Sequence, residues 1–144
     1  TAKGLFKNVK GKPNIALVGF TTEGDVFGGF YNVAVTEQGK MFFDPGIFVF
    51  SFESHGRCET PQRFVVKERL KQYTNVEFYK SGSAGFVCFE ALGDGEVGSF
   101  LLGNEKSNSH CQYMSEAFEG IHDTTLSGHN KEEYHCCRLI AVQM

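Results

Sequence analysis

Three things are scarce in this sequence of 144 residues: tryptophan, which is absent, long apolar runs, and basic charge. A membrane-spanning helix needs roughly 20 consecutive apolar residues, and no run approaches that length, so no transmembrane helix is predicted. The formal net charge of −3 is a poor electrostatic match for nucleic acid. Without tryptophan to stack on a sugar ring, a carbohydrate-binding β-sandwich is the weakest of the binding alternatives.

Phenylalanine and glycine are abundant, with 15 and 17 residues. Aromatic residues favour strands and glycines favour tight turns, so the composition indicates a β-rich core. The chain is long enough to bury such a core, and we expect a single domain over residues 1–144.

The order of apolar runs predicts the fold class. Runs at residues 15–20, 26–35 and 44–52 are separated by short polar segments, which is typical of antiparallel strands joined by tight loops. Further strands are predicted at residues 63–66, 75–79, 86–92, 99–103 and 134–142. Helical turns are expected only near residues 67–73 and 113–118. We therefore predict a mainly β fold, a two-sheet antiparallel β-sandwich with a few short flanking helices.

Side-chain alternation also predicts which faces are buried. Residues 15–20 and 134–142 are apolar on both faces, so the first is expected to be covered on both sides and the second to be a central strand. Phe48, Phe50 and Phe52 share one face of their strand, and this ladder is predicted to lie between the sheets.

Two further segments have composition that predicts local structure. Gly28 and Gly29 are paired inside a strand, which predicts a positive φ or a neighbouring backbone too close for a Cβ.

Residues 1–12 are predicted to form a basic, mobile arm on an otherwise acidic chain. The alternative for this arm is a contact with anionic lipid head groups. Its four lysines are Lys3, Lys7, Lys10 and Lys12.

Five cysteines occur in an odd count without a regular framework, which favours reduced thiols in a cytoplasmic protein. Reactive thiols are exposed and lie near positive charge. Cys58 and Cys111 fall in predicted polar loops beside histidines, so we expect them to be alkylated first. Cys88 and Cys137 fall in predicted strands and are expected to resist alkylation until the protein unfolds.

Three kinds of cysteine site remain open at this point. A cysteine hydrolase needs a thiol, a base and a third orienting group. A zinc site would require residues 55–58 and 135–137, which supply His and Cys, to meet in the fold. Cys136 and Cys137 could form a strained, labile disulfide, although along a strand their thiols point to opposite faces. No catalytic signature is present, so no catalytic, cofactor-binding or metal-binding residue is predicted.

Two segments resemble the TLDc family. Gly24-Asp-Val-Phe-Gly-Gly-Phe-Tyr31 is similar to that family's Gly-x-x-Phe-Gly-Gly-aromatic strand, and residues 44–52 resemble the Asp-to-Phe-Leu-Phe-Ser-Leu strand that follows it. Residues 99–109 and 126–142 resemble its later strands and loops more loosely. The family's tryptophan after the Gly-Gly segment and its N-terminal helical segment and first strand are absent. The residues that carry the fold in this resemblance are Gly24, Phe27, Gly28, Gly29, Asp44, Phe48, Phe50, Phe52, Gly103 and Gly128.

The resemblance implies a function as well as a fold. It implies a β-sandwich flanked by short helices, a link to oxidative-stress resistance and binding to the vacuolar-type proton ATPase. The expected function is therefore a non-enzymatic interaction module with a protein partner. The alternative is a thiol-based antioxidant that uses exposed cysteines, and peroxide consumption by the purified protein would separate the two.

Overall fold

The computed structural model describes residues 2–59, 61–80, 86–92, 97–103, 110–128 and 134–144. Within these residues, the strands in chain order are β1 (Ile15–Thr21), β2 (Val26–Tyr31), β3 (Met41–Phe43), β4 (Phe48–Glu53), β5 (Gln62–Val65), β6 (Thr74–Phe78), β7 (Val87–Leu92), β8 (Val97–Leu102), β9 (His110–Gln112) and β10 (Cys136–Gln143). The helices are α1 (Ala2–Val9), a 3₁₀ helix (Glu68–Tyr73) and α2 (Met114–Ala117).

The strands form two antiparallel sheets of five strands each. The first sheet has the order β10-β1-β2-β4-β5, and the second has the order β3-β6-β7-β8-β9. The predicted mainly β fold with two antiparallel sheets and a few short helices is therefore confirmed. The sequence does not predict β3 and β9, because three residues are too few to show an alternation. Residues 81–85 and 93–96, which connect the predicted strands in this part of the sequence, lie outside the described residues.

Aromatic side chains from both sheets fill the core between them. The Phe27 ring of the first sheet meets Phe100 of the second, with ring centroids 5.8 Å apart and the planes steeply tilted. Tyr31 meets Phe78 in the same way at 5.7 Å. Such edge-to-face contacts add to the free energy gained by burying the rings. The described residues thus place the main core between the two sheets, where the fold class predicts it.

A helix occupies most of the segment for which the sequence predicted a mobile arm. Phe6 and Val9 of α1 are buried, and the Phe6 ring lies 5.1 Å from that of Phe78. This segment therefore packs two apolar side chains on the core, where the sequence predicts a solvated arm. The exposed lysines are Lys7, Lys10 and Lys12; the side chain of Lys3 lies outside the described part of the chain.

Two positions in the first sheet differ from the predictions. β10 is an edge strand, although apolar residues on both of its faces predicted a central one. β1 is central, but only one of its faces meets the core: Leu17 is fully buried, whereas Ala16 and Phe20 on the other face are half-buried. The predictions for β10 and β1 fail for the same reason. The outer face of this sheet is apolar, but no described residues form a second layer on it.

Candidate functional site

The outer face of the first sheet carries an open apolar groove of about 500 Å³. We call this surface the aromatic face. Its lining residues are Ala16, Val18, Phe30, Phe48, Phe50, Phe52, Pro61, Gln62, Arg63, Val142 and Met144. They come from all five strands of the sheet and from residues next to them, so the antiparallel register builds the surface from distant parts of the sequence.

The Phe48, Phe50 and Phe52 ladder belongs to the aromatic face, and its predicted position between the sheets is wrong. Val49 and Ser51 of the same strand point into the core and are fully buried, whereas Phe52 is 51% exposed. The alternation along β4 is as predicted, but the direction is reversed. Phenylalanines of the second sheet already fill the space between the sheets, so smaller residues of β4 face them.

Two glycines of β2 permit close approaches on opposite faces of the sheet. A Cβ on Gly28 would lie 1.9 Å from the carbonyl oxygen of Leu17 and 2.7 Å from Cζ of Phe50. A Cβ on Gly29 would lie 2.6 Å from the ring of Phe89, on the core side. The predicted lack of room for a Cβ is confirmed. Gly28 therefore lets the Phe50 ring lie close to the backbone at the floor of the aromatic face.

Two arginines at the edges of the first sheet are stacked on aromatic rings. The Arg63 guanidinium lies 5.1 Å from the centre of the Phe48 ring, and that of Arg138 lies 5.4 Å from the centre of the Phe20 ring. Both distances are typical of cation–π contacts. None of the described acidic residues lines the groove. Glu53, the last residue of β4, accepts a hydrogen bond from the backbone N–H of His55 at 2.7 Å.

The outer face of the second sheet carries acidic side chains near its centre. Glu77 of β6 and Glu90 of β7 are on this face with Tyr79 and Cys88. Glu90 is only 8% exposed, and its Oε1 is buried without a hydrogen-bond partner among the described residues. Burial raises the pKa of Glu90, and the neighbouring charge of Glu77 raises it further. This face is therefore acidic at its centre, where the aromatic face is apolar.

The candidate reactive thiols differ in environment. Cys111 is buried, and burial raises the pKa of its thiol, so its predicted position in an exposed loop is wrong. The short strand β9, which the sequence does not show, turns it inward. Cys58 is half-buried, with its sulfur 3.1 Å from Oγ of Ser54. Cys137 is exposed rather than protected, because β10 lies at an edge.

The other two cysteines are buried. Cys88 is 3% exposed, in agreement with its prediction, and burial raises the pKa of its thiol. Burial also raises the pKa of Cys136, which lies on the side of β10 opposite to Cys137. All five thiols are free. Among the described residues, no three His, Cys, Asp or Glu side chains are grouped so that they could hold a metal ion.

The buried carboxylate of Asp25 is the centre of a cluster that connects three loops, and the sequence does not predict this cluster. The Asp25 carboxylate, in the β1–β2 turn, accepts hydrogen bonds from Arg57 and from Nδ1 of His55, the latter at 2.8 Å. Arg57 also donates to the backbone carbonyls of Thr125 and Leu126, at 3.2 and 2.7 Å. Arg57 lies far from Asp25, Thr125 and Leu126 in the sequence, so no local pattern predicts these contacts. The cluster holds these loops together, and the hydroxyl of Thr21 also hydrogen-bonds Asp25.

Most of the remaining residues that carry the resemblance lie in turns. Gly24 and Gly128 have positive φ, +93° and +78°, and Gly128 packs against Arg57. Asp44 is buried and accepts hydrogen bonds from the backbone N–H groups of Asn32, Val33 and Gly46. These bonds hold the end of β2 against the turn between β3 and β4. Gly103 is buried directly after β8. The roles of Phe27, Gly28, Gly29 and the Phe48 ladder are those described above.

Comparison with models of known protein families and with curated protein sequences finds no match. Within the described residues, no helix is both long and apolar enough to cross a bilayer.

Proposed function

We propose that the protein is a non-enzymatic, cytoplasmic interaction module that docks a partner protein on the aromatic face. The observation that carries the proposal is the exposure of large apolar side chains around one groove: Phe52 is 51%, Val142 42% and Met144 76% exposed. Single exposed apolar residues are ordinary, but a contiguous patch of them is typical of a surface that binds another molecule.

The resemblance to TLDc proteins supplies the first partner to test, the vacuolar-type proton ATPase, and a setting, oxidative-stress resistance. The two segments that carry it, residues 24–31 and 44–52, contain β2 and all but the last residue of β4, and these strands lie next to each other in the first sheet. In this proposal, Phe48, Phe50 and Phe52 contact the partner rather than the other sheet.

Affinity capture with a matched pair of variants tests the proposal. Phe52→Ser removes an exposed ring from the aromatic face, and Phe43→Ser removes an equally exposed ring, at 54%, from the edge strand β3 of the second sheet. We expect proton-ATPase subunits to be recovered with the unmodified protein and with Phe43→Ser, and to be lost with Phe52→Ser. Equal recovery with both variants would overturn docking on the aromatic face. Absence of these subunits from the unmodified protein's capture would overturn the named partner.

The thiol-based antioxidant remains the alternative, and the thiol environments argue against it. Thiols react as thiolates, and burial raises the pKa of Cys88, Cys111 and Cys136. Only Cys58 and Cys137 have access to solvent. We expect the purified protein to consume no more peroxide than its Cys137→Ser variant. Rapid consumption that this substitution abolishes would favour the antioxidant instead.

A further inference from the structure

The backbone of the aromatic face has its hydrogen-bonding groups paired at its centre. β1, β2 and β4 each pair with a neighbour on both sides, so their N–H and C=O groups are used within the sheet. An extended segment lying on this face would press its own unpaired backbone groups against apolar side chains. Leaving such groups unpaired costs about 1–3 kcal/mol each. An α-helix avoids this cost because its backbone bonds are internal.

The charges around the face limit the occupant further. Arg63 is on β5 and Arg138 is on β10, at opposite edges of the sheet, and none of the described acids lines the groove between them. Four strand spacings separate these edges, roughly 19 Å at about 4.8 Å each. A helix with its side chains is about 10–12 Å wide. A helix lying along the middle strands would therefore fit between the two arginines, with Arg63 on one side of it and Arg138 on the other.

We propose, on the basis of the proposed function, that the aromatic face binds an amphipathic α-helix whose apolar stripe is bordered on both sides by Asp or Glu. The apolar stripe covers the half-buried ring of Phe48 and the exposed ring of Phe52, and the carboxylates on its borders pair with Arg63 and Arg138. Both guanidinium groups are already positioned over aromatic rings, so pairing requires little loss of side-chain freedom. This is the helix-in-groove mode of peptide recognition.

Three labelled synthetic peptides test the proposal by fluorescence anisotropy with the intact chain. The first, of about 18 residues, is helical, with a leucine and phenylalanine stripe bordered by glutamates. The second has the same composition rearranged to alternate apolar and acidic residues, as in a strand. The third replaces the bordering glutamates with lysines. We expect the first peptide to bind about tenfold more tightly than either of the others.

Charge reversal of the protein provides the matching control. Arg63→Glu and Arg138→Glu should each weaken binding of the glutamate peptide about three- to fivefold, as expected for a partly exposed ion pair, and strengthen binding of the lysine peptide. Lys10→Glu makes the same charge change on the exposed surface next to α1 and should leave both affinities unchanged. Phe52→Ser should weaken both helical peptides, whereas Phe43→Ser should not.

Tighter binding of the alternating peptide would overturn the helix, and equal binding of the two helical peptides would overturn the charge preference. Binding that is unaffected by Phe52→Ser would mean that the peptide occupies another surface, and it would also overturn the proposal. A captured partner that Phe52→Ser loses but that the glutamate peptide does not displace would overturn the acidic helix and leave the proposed function standing.

Discussion

The outer faces of the two sheets have the same architecture and opposite chemistry. Across the first sheet, rings and aliphatic side chains line a groove in which Arg63 is the one charged residue among those described. Across the second, Glu77 and Glu90 occupy neighbouring strands, and the exposed apolar residues Met41 and Phe43 lie on the edge strand β3. Each sheet packs its inner face into the same core, so the fold itself requires apolar residues only on the inner faces.

The difference between the two outer faces shows that folding of a sheet does not require an apolar outer face. The second sheet shows that a sheet of this size folds with carboxylates at the centre of its outer face. The aromatic face is therefore not a by-product of forming a sandwich. Exposed aromatic residues increase the tendency of a protein to associate, which natural sheets otherwise limit with charges. Arginines at the edges, with none of the described acids in the groove, support our proposal that this face binds one kind of partner.

The largest effects should separate the two faces of the first sheet. Phe27 points into the core and is fully buried, so Phe27→Ala should lower the free energy of unfolding by about 3–5 kcal/mol. Phe52→Ala, on the outer face, should lower it by less than about 1 kcal/mol. Urea denaturation followed by circular dichroism suits this chain, which has no tryptophan. Equal losses for the two variants would show that the aromatic face is part of the folding core.

A second test concerns the floor of the aromatic face. Gly28→Val should lower the free energy of unfolding by about 3 kcal/mol, because its Cβ would collide with the Leu17 carbonyl of the neighbouring strand. Gly56→Ala is the control: no described atom lies within 4 Å of its Cβ, and only its φ of +80° opposes the change. That control should cost about 1–2 kcal/mol. A larger loss of unfolding free energy for Gly56→Ala than for Gly28→Val would show that position 28 has room for a Cβ.

Alternation in the sequence predicted which residues share a face, but not which face is buried. Phe48, Phe50 and Phe52 do share a face, and β10 does have apolar residues on both sides. A sheet whose outer face binds something has the same two-sided apolar pattern as a sheet covered on both faces. Burial depends on what the rest of the chain packs against each face, and this information is not local.

The site was less predictable than the fold for the same reason. Arg63 and Arg138 are far apart in the sequence, and only the strand order puts them at opposite edges of one sheet. Cys111 was assigned to a polar loop because the three residues of β9 are too short to show a pattern. The close approach at the paired glycines was predictable, because a strand interior without side chains is typical of a neighbouring group that needs the space.

A smaller effect should mark the outer face of the second sheet. Burial raises the pKa of Glu90 in the folded protein, so its charged form opposes folding at neutral pH. Glu90→Gln should raise the free energy of unfolding at pH 8 by about 1 kcal/mol, because burying an unpaired charge costs more than burying an unpaired neutral amide. Below a pH of about 4.3, the carboxyl is neutral in both states and the advantage should vanish. If Glu90→Gln raises the free energy of unfolding equally at both pH values, the charge of Glu90 does not cause the effect.

The smallest structural effect is expected at the edge of the first sheet, where Cys137 is exposed on β10. Cys137→Ser should change the free energy of unfolding by less than about 0.5 kcal/mol, because no buried contact is lost. Brief iodoacetamide treatment followed by mass spectrometry should label Cys137 and Cys58 in the native protein. Cys88 and Cys111 should react more than about tenfold more slowly, since both are buried and their labelling requires local unfolding. Fast labelling of Cys88, the one cysteine on the outer face of the second sheet, would show that this face is as open as the aromatic face, and the contrast between the two sheets would fail.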